Sequence, residues 1–378
     1  MTNKQRHYAV MEGAPADRMP VTSLYSELYY CDHFAEITGL PQWETARWLV
    51  SSPEEHLAIY KRLFEAAPIE TLRPCWAPPR DVRENTTFFE QDGEVYRRYH
   101  DSVECVSKPS ASGHASDYHA NERQRIFNSA DIRREVHILP AESSIAAGVN
   151  DYIEAVVAEL GDEHFILTGG EVGTLWGCTG YLGQANTYRM LIEQPDLIHE
   201  LSRRLLEQSI EGIRVKAAAG GDAIYIDDAT ATSDMISLEH YEKFCLPYIT
   251  EMVREIQRHD HKAILIYFGG VMDRLDAIAS TGADALAMEA SMKNYVNDIE
   301  QIVERIGGRM VLFGNIDPVG VLEDGTAAEL DAEIRRQAAA GRKGRGFLIS
   351  TGSPITPGTP LARVQRYIKR GQDLGASN

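Results

Sequence analysis

Cysteine is scarce and scattered. The 378 residues hold five, Cys31, Cys75, Cys105, Cys178 and Cys245, and none forms a CxxC pair. That spacing excludes the common thiolate zinc and redox motifs, and an odd count suits free thiols in a reducing cytoplasm, where we place the chain. No block of Lys and Arg occurs either. The balance of 38 basic against 56 acidic residues leaves a net charge of -18, a field that repels nucleic acid and anionic membranes, so neither is an expected partner. No apolar run approaches the roughly 20 residues of a membrane-spanning helix, and the polar opening MTNKQRHYAVMEGAPADRMP lacks an apolar signal segment. No GxGxxG follows an apolar run, which removes the fingerprint of a dinucleotide-binding sheet.

What the chain does have is rhythm. Eight short apolar or β-branched runs end in polar or glycine residues: MPVTSLY (19–25), IETLRPCW (69–76), HFILTGGEVG (164–173), DAIYIDDA (222–229), KAILIYFGG (262–270), ADALAMEAS (283–291), RMVLFGNID (309–317) and GFLISTGS (346–353). In the second half they alternate with stretches of helical period such as SLEHYEKFCLPYITEMVREIQRH and TAAELDAEIRRQAAAG. Near-continuous apolar strands separated by helices mark a parallel sheet covered on the outside. Eight of them predict a single-domain (β/α)8 barrel over residues 1–378. Residues 82–138 break the rhythm: FFEQDGEVYRRYHDSVECVSKP alternates around Asp92-Gly93 as a β-hairpin, and SASGHASDYHANERQR follows. We read them as an insertion after the second strand that caps the barrel mouth, with His114 and His119 as lid histidines that face either a substrate or solvent.

In such a barrel the chemistry sits where the strands end. Asp227 and Asp228 close one strand, and adjacent residues point opposite ways, so one faces the pocket while the other builds a turn; the order stays open. Glu289 and Glu171 end other runs as site carboxylates or as partners of an arginine. Asn315, Asp317 and Ser353 lie in turn-rich exits, where a structural role competes with ligand binding. Aromatics gather at the same level: Tyr25, Tyr29, Tyr30, Trp76, Trp176, Tyr181, Tyr267 and Phe268, the wall of a pocket for a flat, partly apolar small molecule. No His stands beside Cys178, so no Cys/His pair is indicated. Arg73, Arg80 and Arg83, near the second strand, are the nearest cations.

ADRMP, GGDAIYIDDATATSDMISLEHYEKFCLPYI, KAILIYFGG, FGNIDP and ITPGTP, in that order, resemble the uroporphyrinogen decarboxylase superfamily, best from about residue 215 to 370. The resemblance implies a (β/α)8 barrel with its site at the C-terminal mouth. Decarboxylases of the family carry an arginine-rich RQAGRY segment after the first strand; here that place reads SLYSELYY, which argues against a polycarboxylate porphyrinogen. The corrinoid-linked methyltransferases and methionine synthases of the superfamily hold zinc through His-x-Cys and a later Cys. Those positions are Ile266, Phe268 and Ser353 here, and only Glu289 resembles a ligand, so zinc is not expected there. An oxygen-rich metal site from Glu171, Asp227 or Asp228 and Glu289 stays open, announced by no motif.

What the resemblance then implies is a methyltransferase or demethylase. It would move a methyl group from an O- or N-methylated small molecule to a corrinoid on a partner protein. Asp227, Asp228, Glu289 or Tyr267 would act as acid, and Tyr25, Tyr29, Glu171, Trp176, Phe268, Asn315 and Ser353 would hold the substrate. The alternatives are a decarboxylase or lyase on a small carboxylic acid, and a binding protein that has lost catalysis. Oligomeric state is left open.

Overall fold

The computed structural model describes residues 1–108, 124–292 and 294–374, so His114 and His119 lie outside the described residues. Its strands run β1 (Val21–Thr22), β2 (Thr71–Leu72), β3 (Thr86–Gln91), β4 (Glu94–Tyr99), β5 (Ser102–Cys105), β6 (Phe165–Val172), β7 (Ala223–Asp228), β8 (Lys262–Tyr267), β9 (Ala285–Met288), β10 (Val311–Phe313) and β11 (Phe347–Ser350). Each of the eight apolar runs contains one strand of a single sheet, ordered β1-β11-β10-β9-β8-β7-β6-β2 with parallel pairing throughout, and helices lie between them. The sheet is a nearly closed (β/α)8 barrel. At the seam between β1 and β2, the Glu70 N–H donates to the Val21 carbonyl at 2.9 Å, and the Val21 N–H donates to the Glu70 carboxylate at 2.7 Å.

Burial on both faces explains the unbroken apolar runs. In β7, Ala223 and Tyr225 join the barrel-interior cluster of Phe165, Leu167, Ile264, Ile266, Ala285 and Ala287, while Ile224 and Ile226 pack outward under the helices. Helix Asn3–Glu12 closes the N-terminal end of the barrel, with Val10 and Met11 in the interior cluster and the Tyr8 hydroxyl donating to Asp222 at 3.0 Å. At the other end the strand exits are left to the loops. No helix among the described residues is long and apolar enough to cross a membrane.

The hairpin forms as the alternation predicts. Phe89 pairs with Tyr96, and Asp92 and Gly93 both take positive φ (55° and 78°), which a two-residue turn of this hand requires; β5 adds a third antiparallel strand. One local expectation differs. The stretch 237–259 breaks at Cys245 into helices Leu238–Phe244 and Leu246–Arg258, because Pro247 fits only a first turn.

Candidate active site at the barrel mouth

The pleat decides between the two aspartates. Asp227 lies across from Ile266 and shares the interior face with Ala223 and Tyr225; Asp228 lies across from Tyr267, on the face under the helices. Asp228 Oδ1 accepts from the Thr230 N–H at 2.7 Å, the Thr230 hydroxyl at 2.8 Å and the Ala231 N–H at 2.8 Å, a turn built on its own side chain. Asp227 is 7% exposed and faces the mouth. The Tyr25 hydroxyl donates to its Oδ2, while Oδ1 is buried without a protein partner. Burial pushes the Asp227 carboxyl up to about 7, opposed by the Tyr25 hydrogen bond and the charge of Arg73.

Tyr25 reaches Asp227 because its backbone is left-handed (φ 59°, ψ 45°), turning the chain from β1 into helix Ser26–Asp32. An aromatic residue pays for that conformation, and such strain persists where surroundings hold it. Here Arg73 does so. One residue beyond β2, its guanidinium lies 3.9 Å from the Tyr25 ring centre and 4.6 Å from that of Tyr225. It donates to the Tyr225 hydroxyl and pairs with Glu27 at 3.1 Å. Burial opposes the charge on Arg73, but Glu27 and the tyrosines outweigh it and hold its pKa above the usual value. The Tyr225 ring rests on Gly170, where a Cβ would sit 2.0 Å from it. Phe268, its ring 5.7 Å from that of Tyr25, closes this side.

A second carboxylate stands two strands along the sheet from Asp227. Glu289, just past β9, accepts from the Ser353 hydroxyl at 3.2 Å and from the Tyr295 hydroxyl. Its backbone is fixed by Asn297, which the sequence did not single out. The Asn297 amide donates to the carbonyls of Gly269 (2.9 Å) and Glu289 (3.0 Å) and accepts from the Val271 N–H (3.1 Å). Asn315 is built into the same frame, donating to the Asn297 carbonyl at 2.8 Å and bonded to Gln337 through its backbone N–H at 3.0 Å. Gly269 and Gly270 admit the loop after β7: a Cβ would meet Thr232 Oγ1 at 2.5 Å and Ser233 Oγ at 2.2 Å.

Residues 108–373 match the family model for uroporphyrinogen decarboxylase (URO-D). The chain belongs to the URO-D family. It is 26% identical over 345 residues to a uroporphyrinogen decarboxylase of Tolumonas auensis, covering 87% of this chain and 92% of that protein. It is 30% identical over 214 residues to the one from Cellvibrio japonicus, with coverages of 54% and 58%. Among solved structures, a methyltransferase from Methanosarcina mazei shares the fold with a TM-score of 0.66 at 20% identity, covering 99% of both chains.

In this URO-D chain the SLYSELYY segment supplies Tyr25 and Glu27, which enclose Arg73. Three residues expected at the site lie elsewhere. Tyr267 points under the helices, its hydroxyl 2.8 Å from that of Tyr241. Tyr29 is buried against the C-terminal loop, stacked on His33 and donating to the Thr359 carbonyl at 3.2 Å. Glu171 is turned outward by an irregularity in β6 between Leu167 and Gly170, where Gly169 takes φ 125°, and pairs with Lys216 on helix Pro195–Ala218. Trp176 is half-buried in the first turn of helix Thr174–Leu182, just past Gly173, whose N–H donates to the Asp227 carbonyl at 2.7 Å.

The zinc positions named by the resemblance do not fit that ion: Ile266 is an apolar interior side chain, Phe268 an aromatic wall, and Ser353 spends its hydroxyl on Glu289. The oxygen-rich alternative loses Glu171 to Lys216 and Asp228 to its turn. Among the described residues no three His, Cys, Asp or Glu side chains converge as metal ligands.

Proposed function

We propose that this URO-D family chain transfers a methyl group from an O- or N-methylated small molecule, with Asp227 as the general acid. The observation that carries this reading is the state of the Asp227 carboxyl. One oxygen is held by Tyr25, the other is buried, unpartnered and on the interior face, and burial brings the group to about 7, where it can donate a proton near neutrality. As the bond from the methyl carbon to the heteroatom breaks, the carbon passes to the acceptor and the Asp227 proton passes to the departing heteroatom. A corrinoid on a partner protein would supply the nucleophile that takes the methyl carbon. Tyr25 and Phe268 offer an aromatic wall for the donor. The Methanosarcina mazei methyltransferase lends its name to the reading through a shared fold. Purified protein mixed with reduced corrinoid and a panel of methoxylated and N-methylated compounds should form methyl-cob(III)alamin, seen in its visible spectrum; no methylation from any donor sinks the reading.

The names of the relatives favour a second reading, decarboxylation of a small acid. Release of carbon dioxide from a panel of aromatic and aliphatic acids would support it over methyl transfer.

A further inference from the structure

We infer that the Arg73–Glu27 pair sets the charge selectivity of the mouth, so that the site accepts a neutral aromatic ligand and turns away its carboxylated analogue. The inference rests on the mouth being the substrate site and names the class of ligand it takes.

Arginine is the residue that grips carboxylates, through two parallel N–H bonds on one edge of its guanidinium. In Arg73 those edges are in use. Glu27 takes one nitrogen at 3.1 Å and the Tyr225 hydroxyl takes the other. The rings of Tyr25 and Tyr225 lie close to the same group, at 3.9 and 4.6 Å. Arg73 and Glu27 are each 14% exposed, so an incoming carboxylate would have to displace Glu27 from a largely dry pair. Among the described residues, other cations on this side are matched in the same way: Lys216 with Glu171, and Arg80 and Arg83 with Asp151. Glu289, whose oxygens accept from the hydroxyls of Ser353 and Tyr295, then leaves a carboxylate at the opening, which repels an anion and costs a neutral ring nothing. Glu27 is therefore the specificity-determining residue, acting through the cation it occupies.

Calorimetric titration of the full-length protein with anisole and with 4-methoxybenzoate tests this. The two share a ring and a methoxy group and differ by one carboxylate. Wild type should bind anisole at least about tenfold more tightly. Glu27→Gln frees the guanidinium and should strengthen 4-methoxybenzoate binding by about tenfold or more while leaving anisole nearly unchanged. The double variant Glu27→Gln/Arg73→Gln, which removes both charges, should keep the wild-type preference. Three results overturn the inference: wild type holding 4-methoxybenzoate as tightly as anisole, wild type binding neither, or a folded Glu27→Gln with no gain for the carboxylate. If Glu27→Gln does not fold, the wild-type comparison and the double variant decide. Binding is read here without turnover, so a chain that prefers anisole yet transfers no methyl group refutes the reaction and leaves the selectivity standing.

Discussion

The Tyr25 hydroxyl donates to one oxygen of Asp227 and leaves the other buried and unpaired at the barrel mouth. These residues are 202 positions apart, and the bond joins the exits of β1 and β7. It explains why a tyrosine occupies a left-handed backbone position there, and it leaves the carboxyl with one buried oxygen that has no protein partner.

A carboxyl that burial has raised should register in stability. In the folded chain Asp227 holds its proton to about pH 7, whereas the unfolded chain releases it near 3.8. Its stabilising contribution is complete below about pH 4 and is lost as pH rises through 7, a swing of up to about 4 kcal/mol. Asp227→Asn stays neutral, so it should melt above wild type at pH 8 and close to it at pH 4.5. Equal melting differences at both values would show that Asp227 is ionised throughout.

The same carboxyl should shape the rate. Acting as an acid it serves only while protonated, so kcat/KM should be flat below about pH 7 and fall tenfold per unit above it. Tyr25→Phe removes a hydrogen bond that favours the carboxylate and should move the falling limb to higher pH. A limb that stays in place would mean that Tyr25 does not set the protonation of Asp227.

Gly170→Ala should be costly for a reason unrelated to backbone freedom. The added Cβ would lie 2.0 Å from the Tyr225 ring, which must move and loosen its contact with Arg73. Overpacking of this kind costs about 1–3 kcal/mol. Denaturant titration of the single variant and of Gly170→Ala/Tyr225→Leu checks it: the clash should be relieved in the double variant, and an additive pair would contradict it.

Asn297→Ala should loosen the Glu289 side of the mouth. The side chain is 2% exposed and meets the carbonyls of Gly269 and Glu289 and the N–H of Val271, so truncation strands buried polar groups at about 2–4 kcal/mol. Asn297→Asp should not rescue it, because a carboxylate would face the two carbonyls. Urea unfolding of both variants reads the effect, and wild-type stability in either would refute the assignment.

The eight strands were legible because a strand buried on both faces must be apolar at every position, whatever it packs against. Glu289 and Asp227 were legible for the complementary reason, as carboxylates that interrupt apolar runs at strand ends. Tyr267 shows the limit: it too ends a strand, but the pleat sends it under the helices. Glu171 shows another, since the irregularity at Gly169 turns a strand-end carboxylate outward to Lys216. Arg73 was visible as a cation near the second strand, yet its sequence neighbours gave no sign of Glu27, Tyr25 and Tyr225 around it.

The sequence by itself thus determined the barrel and the carboxylates at its strand ends, because burial pattern and residue identity are local properties. Only the tertiary structure decided that Asp227 and not Asp228 faces the mouth, and that Tyr25 and Arg73 complete its surroundings. Those facts depend on pleat, register and the approach of β1, β2 and β7, which are set by closure of the whole sheet.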